Sequence, residues 1–157
     1  MILVKNNIQK KRQTWKSENF YRKVWFIKDP VWLNFHVGLL NKVIPDYVLD
    51  YGIDDEKMWI DYNIIEGIPA STFEHTDQFI RRIYEFCLDN IQKTKPYVHG
   101  DWVLSNIIIN NDHIQMCDWD NVNIYPMDEV MKKLHKDMLS AFGERFTQVT
   151  ENDSSSI

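Results

Sequence analysis

The spacing of hydrophobic and polar positions changes along the chain, and each change predicts a different element. β-branched and aromatic residues crowd into residues 1–5 and into Phe20-Tyr21-Arg22-Lys23-Val24-Trp25-Phe26-Ile27, with a polar, turn-like stretch from Asn6 to Ser17 between them. Such runs predict strands at the start of the chain. Pro30 suits a first helical turn, and Trp32, Phe35, His36, Leu39, Leu40 and Val43 then recur at helical spacing until Pro45 ends the pattern. A turn at Tyr51-Gly52-Ile53-Asp54-Asp55 leads into Met58 to Ile65, a short apolar run that reads as a buried strand ending at Glu66-Gly67.

Beyond Pro69-Ala70-Ser71 the period becomes helical. Thr76 is an N-cap candidate, and Phe79, Ile83, Phe86, Cys87 and Ile91 form an apolar stripe on a long helix ending near Lys95-Pro96. Two short strands, 107–109 and 113–116, are joined by Asn110-Asn111-Asp112, and a helix runs from about Met127 to Phe142. Strands gather before residue 66 and helices after 75, which predicts an α+β fold of two lobes. The expected division is a small β-rich N-terminal lobe at 1–66, a reduced helical lobe at 67–146 and a polar, disordered tail at 147–157. A hinge is expected at 64–70, with the chemistry in the cleft beside it.

Composition narrows the setting. The chain has 157 residues, 44% of them apolar and 21 aromatic, enough for one globular core. No stretch approaches the roughly 18 uninterrupted apolar residues of a membrane span, and the Met1-Ile2-Leu3-Val4-Lys5 start is too short for a signal peptide. A cytoplasmic protein without membrane attachment is expected. Cys87 and Cys117 lie in apolar runs without metal-like spacing, so buried, reduced core positions are expected for both. The six tryptophans are expected in the core, and His113 and His135 at the surface.

The net charge of −5 conceals an asymmetry: residues 1–28 carry eight Lys or Arg against the single Glu18, a local +7, so the remainder sums to −12. An acidic chain is a poor generic binder of nucleic acid, and no nucleic-acid partner is expected. The basic end reads equally as a solvated edge or as a surface that closes on an anion held with a metal.

The densest polar cluster is His99-Gly100-Asp101-Trp102-Val103-Leu104-Ser105-Asn106, followed by the strand pair and then Asp118-Trp119-Asp120. A carboxylate and a carboxamide five residues apart, with a further carboxylate returned by a hairpin, converge at one mouth. Three oxygen groups there suit Mg²⁺, which takes a few protein oxygens plus phosphate and water. Taken singly, each Asp or Asn would be an ordinary turn or cap residue. Seven positions in order are harder to explain that way.

Together these residues resemble the kinase-like phosphotransferases that include aminoglycoside phosphotransferases and choline kinases, whose loop reads H-G-D-x-x-x-x-N followed by a hairpin and D-[WF]-[DE]. The resemblance is specific over residues 97–120 and looser elsewhere. It implies a protein-kinase-like fold and an ATP-dependent, Mg²⁺-assisted transfer of a phosphoryl group to a hydroxyl. By resemblance, Asp101 is the catalytic base, Asn106 and Asp118 hold the metal, and Asp120 either reaches a second metal or caps the following turn. His99 is expected to anchor the loop. Tyr62-Asn63-Ile64-Ile65-Glu66-Gly67 resembles the strand and hinge whose backbone meets adenine, placing Asn63, Ile64 and Ile65 at the nucleotide. Lys23 resembles the strand lysine that pairs with the α- and β-phosphates, and period-two alternation sends Arg22 to the opposite face.

The chain departs from that pattern in places. No glycine precedes Gly38, so the turn over the phosphates is expected within Asn6 to Thr14, with Lys10, Lys11 and Arg12 supplying charge. Residues 30–45 contain no acid to pair with Lys23, and one helix is expected after Asp120 where the family has several. An acceptor site of few residues, or one completed by a second subunit in a homo-oligomer, follows. With Gly100 in place of arginine and no A-P-E sequence, the acceptor is expected to be a small-molecule or glycan hydroxyl rather than a protein. The competing reading is a catalytically weak or inactive kinase-like protein that binds nucleotide or a partner. A metal-dependent phosphoesterase is disfavoured by the single histidine of the loop.

Overall fold

In the first 64 residues the alternating runs assemble into one antiparallel sheet. The structure, a computed structural model, describes residues 1–151 and divides the chain into two units after Ile64. Strands β1 (Ile2–Asn7), β2 (Arg12–Lys16), β3 (Phe20–Trp25), β4 (Val48–Asp54) and β5 (Lys57–Asn63) lie in the order β1-β2-β3-β5-β4. Met58, Ile60 and Tyr62 are buried on one face of β5, as period-two alternation requires.

Helix α1 (Pro30–Val43) follows β3 and matches the predicted bounds. Asp29 Oδ1 accepts the Trp32 N–H at 2.9 Å, and Pro30 occupies the first turn, where a missing N–H is harmless. Leu33, Val37 and Leu40 bury the inward stripe.

Two expectations fail here. The stretch Asn6 to Ser17 contains strand β2, whose polar residues hid it: it pairs with β1 on one side and β3 on the other, so its backbone is satisfied although its side chains are only half-buried. Likewise Tyr51-Gly52-Ile53 is strand rather than turn. Gly52 sits opposite Trp59, where an added Cβ would stand 2.9 Å from the indole, so this glycine marks a close approach.

The second unit starts with β6 (Ile68–Pro69) and helix α2 (Asp77–Thr94), capped by Thr76 Oγ1 accepting the Phe79 N–H at 3.2 Å. Strands β7 (Tyr97–Val98), β8 (Ile107–Asn110), β9 (His113–Met116) and β10 (Asn123–Ile124) follow, then α3 (Met127–Phe142) and α4 (Glu144–Glu151). Ile80, Ile83, Cys87 and Ile91 of α2 and Val130, Leu134, Met138 and Phe142 of α3 are the buried stripes of their helices.

Helix α4 corrects the expectation of a disordered tail from 147 and of a single helix after Asp120. Phe146 and Val149 give it a buried face, and Arg145 donates to Asp77 at 2.9 Å, fastening α4 to the start of α2. The rest of that expected tail, 152–157, lies outside the described residues.

Among the described residues no helix is long and apolar enough to cross a membrane. Both cysteines are free, Cys87 buried and Cys117 only half-buried. Cys117 follows the last residue of β9, at the mouth of a hairpin rather than within the core. Of the tryptophans only Trp102 and Trp119 are buried, both in the second unit, while Trp15, Trp25, Trp32 and Trp59 lie half-buried in and beside the sheet.

Candidate active site

Two short pairings close the polar segment of the second unit into a ring. Strand β7 pairs with β10, setting Val98 against Asn123, so the residue before His99 meets the chain just beyond Asp120. Strands β8 and β9 pair Ile107 with Met116, and the Cys117 N–H donates to the Asn106 carbonyl at 2.8 Å. The loop carrying Asp101 and Asn106 and the segment carrying Asp118 and Asp120 are thereby drawn to one end of the hairpin.

His99 ties the two segments together. It is fully buried, its Nδ1 accepts the Asp101 backbone N–H at 3.2 Å, and its Nε2 lies 2.7 Å from the Cys117 carbonyl. A carbonyl only accepts, so Nε2 carries the proton and the ring is the neutral Nε2–H tautomer. Burial lowers the imidazole pKa below 6.5, against the upward pull of the Cys117 carbonyl and of Asp101, Asp118 and Asp120. With both nitrogens engaged, His99 positions the loop, and the Trp119 ring packs edge-on against it at 4.6 Å.

The Asp101 carboxylate is set from two sides. Asn106 Nδ2 donates to Asp101 Oδ2 at 3.1 Å and to the Asp101 carbonyl at 3.3 Å, while Lys133 Nζ stands 3.9 Å from Asp101 Oδ1. About a third of the Asp101 side chain stays exposed, at 31%, so its carboxylate is open to solvent. Because the Asn106 amide nitrogen is spent on Asp101, its oxygen is the atom left to accept or ligate.

Asp118 adopts a left-handed backbone, φ 58° and ψ 57°, immediately before the 3-10 turn Trp119–Asn121. Aspartate tolerates that region better than most residues. Asp120 lies inside that turn, half-buried.

Asp137 is a member of this network that the motif did not indicate. It is buried on α3, its Oδ2 accepts the Trp102 backbone N–H at 3.1 Å, and Lys133, one helical turn earlier, donates to it at 2.7 and 2.8 Å. The sequence held a signal for it: position 137 falls on the apolar stripe between Leu134 and Met138, where an unpaired acid would be expensive. An acid on a buried face implies a partner, and the partner is the backbone of the loop.

The residues suit a magnesium–nucleotide site in their donor chemistry. One carboxamide oxygen and one or two carboxylates are hard oxygen donors, and Mg²⁺ is commonly held by such a small set together with phosphate oxygens rather than by a protein cage. Among the described residues no group of three or more His, Cys, Asp or Glu side chains is placed to hold a metal ion.

The other nucleotide candidates are distributed over the first unit and the start of the second. On β3, Arg22 is clamped by Asp61 through bonds of 2.7 and 2.8 Å and stacks 4.2 Å from the Trp59 ring. Lys23 falls on the opposite face, 8% exposed, its ammonium 5.3 Å from the Tyr62 ring centroid. Asn63 ends β5, where its backbone N–H already donates to the Tyr47 carbonyl at 2.8 Å, while Ile64 and Ile65 lie outside any strand. Lys11 takes φ 46° in the turn between β1 and β2, a left-handed position of the kind glycine usually fills.

No protein-family model and no curated protein sequence matches the chain. Solved structures do resemble it. The crystal structure of monomeric WbdD aligns with TM-score 0.52 and 14% identity over 78% of this chain and 35% of that one. A structure titled as the bifunctional kinase-methyltransferase WbdD aligns with TM-score 0.52 and 13% identity over 82% and 35%. A further WbdD crystal structure gives 0.50 and 12% over 84% and 36%. This chain thus spans about a third of the length of those proteins. At such identities the likeness bears on fold alone, and it supports a kinase-like α+β fold.

Proposed function

We propose that the protein is an ATP-dependent phosphotransferase acting on the hydroxyl of a small molecule or sugar. The observation that carries this reading is the linked geometry around Asp101: a partly exposed carboxylate bonded to Asn106 and joined, through His99 and Cys117, to the backbone beside Asp118. Phosphoryl transfer asks chiefly for positioning and charge neutralisation; this arrangement supports the first, and its oxygen donors would supply the second through Mg²⁺.

In this reading Asp101 accepts the proton of the acceptor hydroxyl as its oxygen forms a bond to the γ-phosphorus. The bond from that phosphorus to the β,γ-bridging oxygen breaks, ADP keeps the electron pair, and Asp101 later yields the proton to water. Asn106 and Asp118 would hold Mg²⁺, with Asp120 as a further candidate, and the ion would supply neutralisation of phosphate charge. Lys23 and the backbone at Asn63 to Ile65 serve the nucleotide.

Calorimetric titration with ATP, with and without Mg²⁺, tests the reading. Asp118→Ala should abolish metal-dependent binding, whereas Asp101→Ala should retain binding and lose transfer by about 10²- to 10⁴-fold, the usual worth of a general base. Equal loss of binding in the Asp101 variant would contradict the assigned roles.

A second reading has one observation in its favour: helix α1 carries no Asp or Glu to pair with Lys23. A protein that binds nucleotide but turns it over weakly accounts for that. ATP turnover that is indifferent to Asp101→Ala would favour it.

A further inference from the structure

Beside the Asp101 loop the second unit contains a cavity of about 320 Å³, near the lower end of the roughly 300–1,000 Å³ typical of ligand sites and suited to a single ring. Gly100, Trp102, Tyr125, Glu129, Val130 and Lys133 line it. Lys133 joins the cavity to the chemistry, because the same ammonium stands 3.9 Å from Asp101 Oδ1.

We propose, resting on the phosphotransfer reading, that this cavity receives the acceptor and selects an uncharged cyclic polyol over ammonium-bearing or anionic acceptors. Three observations support this. Trp102 is fully buried and its indole N–H has no hydrogen-bond partner among the described residues, a costly state for a buried donor that a ligand oxygen would relieve. Tyr125 shares the lining with it, its hydroxyl donating to the Asn121 carbonyl at 3.0 Å. A Cβ at Gly100, where φ is +76°, would stand 3.1 Å from the Tyr125 ring, so glycine at this position makes room for the tyrosine. Aromatic walls with an N–H donor, an ammonium and the Glu129 carboxylate around them match a ring that alternates C–H faces with hydroxyls.

Charge then sets the class. An acceptor bearing an ammonium would bring its charge toward Lys133 whenever its hydroxyl reached Asp101. An anionic acceptor gains little in exchange, because Lys133 already serves Asp137 at 2.7 and 2.8 Å and stands 3.9 Å from Asp101, while Glu129 shares its lining. A neutral polyol meets neither penalty.

The test is a titration of the full chain, labelled with ¹⁵N at tryptophan, with myo-inositol, methyl α-D-glucopyranoside, choline and glucose 6-phosphate. The Trp102 indole N–H is the signal that disappears in Trp102→Phe. The two neutral probes should displace that signal saturably. Their affinities should fall by about tenfold in Tyr125→Ala and Lys133→Met, and choline and glucose 6-phosphate should bind about tenfold more weakly. If Trp102→Phe does not fold, calorimetry on Tyr125→Ala and Glu129→Gln, at half-buried and exposed positions, reads the same loss.

No response to either neutral probe, equal affinity for choline, or indifference to the cavity variants would overturn the proposal. A MgATP titration of the same sample separates the two readings. Nucleotide binding without polyol binding removes the cavity assignment alone, and polyol binding without nucleotide binding removes phosphotransfer and leaves a polyol site.

Discussion

Lys23 in the first unit and Asp101 in the second are charged groups held in place by different means. Lys23 is placed by strand register: β3 sets it between Thr14 and Ile60, and alternation alone turns it away from Arg22, which Asp61 clamps on the other face. Asp101 is placed by hydrogen bonds converging from several segments, namely His99 beneath its backbone, Asn106 on its carboxylate, and Asp137 holding the next residue's N–H. A strand needs only a lysine at the right parity, and its neighbours can drift. A loop needs each bonding partner by type and spacing, which is why the second region leaves a readable pattern and the first does not.

The largest effect expected from that difference comes from Asp137→Ala. It leaves the buried Trp102 N–H without its acceptor and Lys133 without its nearest carboxylate, and should cost about 1–3 kcal/mol of stability in urea denaturation. Asp61→Ala in the sheet also removes a carboxylate from a close pair, but Arg22 has 29% of its side chain exposed and water can take over its N–H groups. A loss of about 1 kcal/mol is expected there, because the guanidinium left behind stays in reach of water although Asp61 itself is only 8% exposed. Equal losses would mean that sheet and loop depend alike on their polar partners.

The same contrast accounts for what the sequence disclosed. Helices α1 and α2 were legible because each joins an apolar stripe to a start signal, at Pro30 and Thr76. The loop and hairpin were legible because their partners are fixed in type and spacing. Strand β2 was hidden because Arg12-Gln13-Thr14-Trp15-Lys16 has ladder partners on both sides and little need of apolar side chains. Strand β4 was hidden by Gly52, a turn signal whose real cause is the Trp59 indole. Asp137 left only an indirect signal, an acid on an apolar stripe, because its partner, the Trp102 backbone N–H, is 35 residues away and backbone donors leave no trace in residue type.

A smaller effect sharpens the placement of Lys23. Replacing its ammonium with methionine preserves an unbranched side chain on that face of β3, and should weaken MgATP binding by about tenfold, or ~1.4 kcal/mol. Arg22→Met, one residue away on the other face, should leave nucleotide affinity unchanged. If the arginine variant is the one that weakens binding, the assignment by strand parity is reversed.

The smallest expected effect concerns pH and belongs to His99. Burial lowers its pKa below 6.5, so the folded protein keeps the ring neutral while the unfolded chain takes up a proton as pH falls through 6.5. The unfolded state then binds more protons, and stability must rise with pH across that window. The contribution is fully present above 6.5 and is lost as pH drops toward the lowered folded value. A melting temperature lower by roughly 2–4 °C at pH 5.5 than at pH 7.5 corresponds to about 1 kcal/mol for a chain of this size. His99→Gln cannot take up that proton, and although its baseline is lower because the Asp101 and Cys117 contacts are weakened, its melting temperature should vary less over the same interval. An identical slope in both proteins would place the pH dependence elsewhere and leave His99 as a packing residue whose charge state does not matter to the loop.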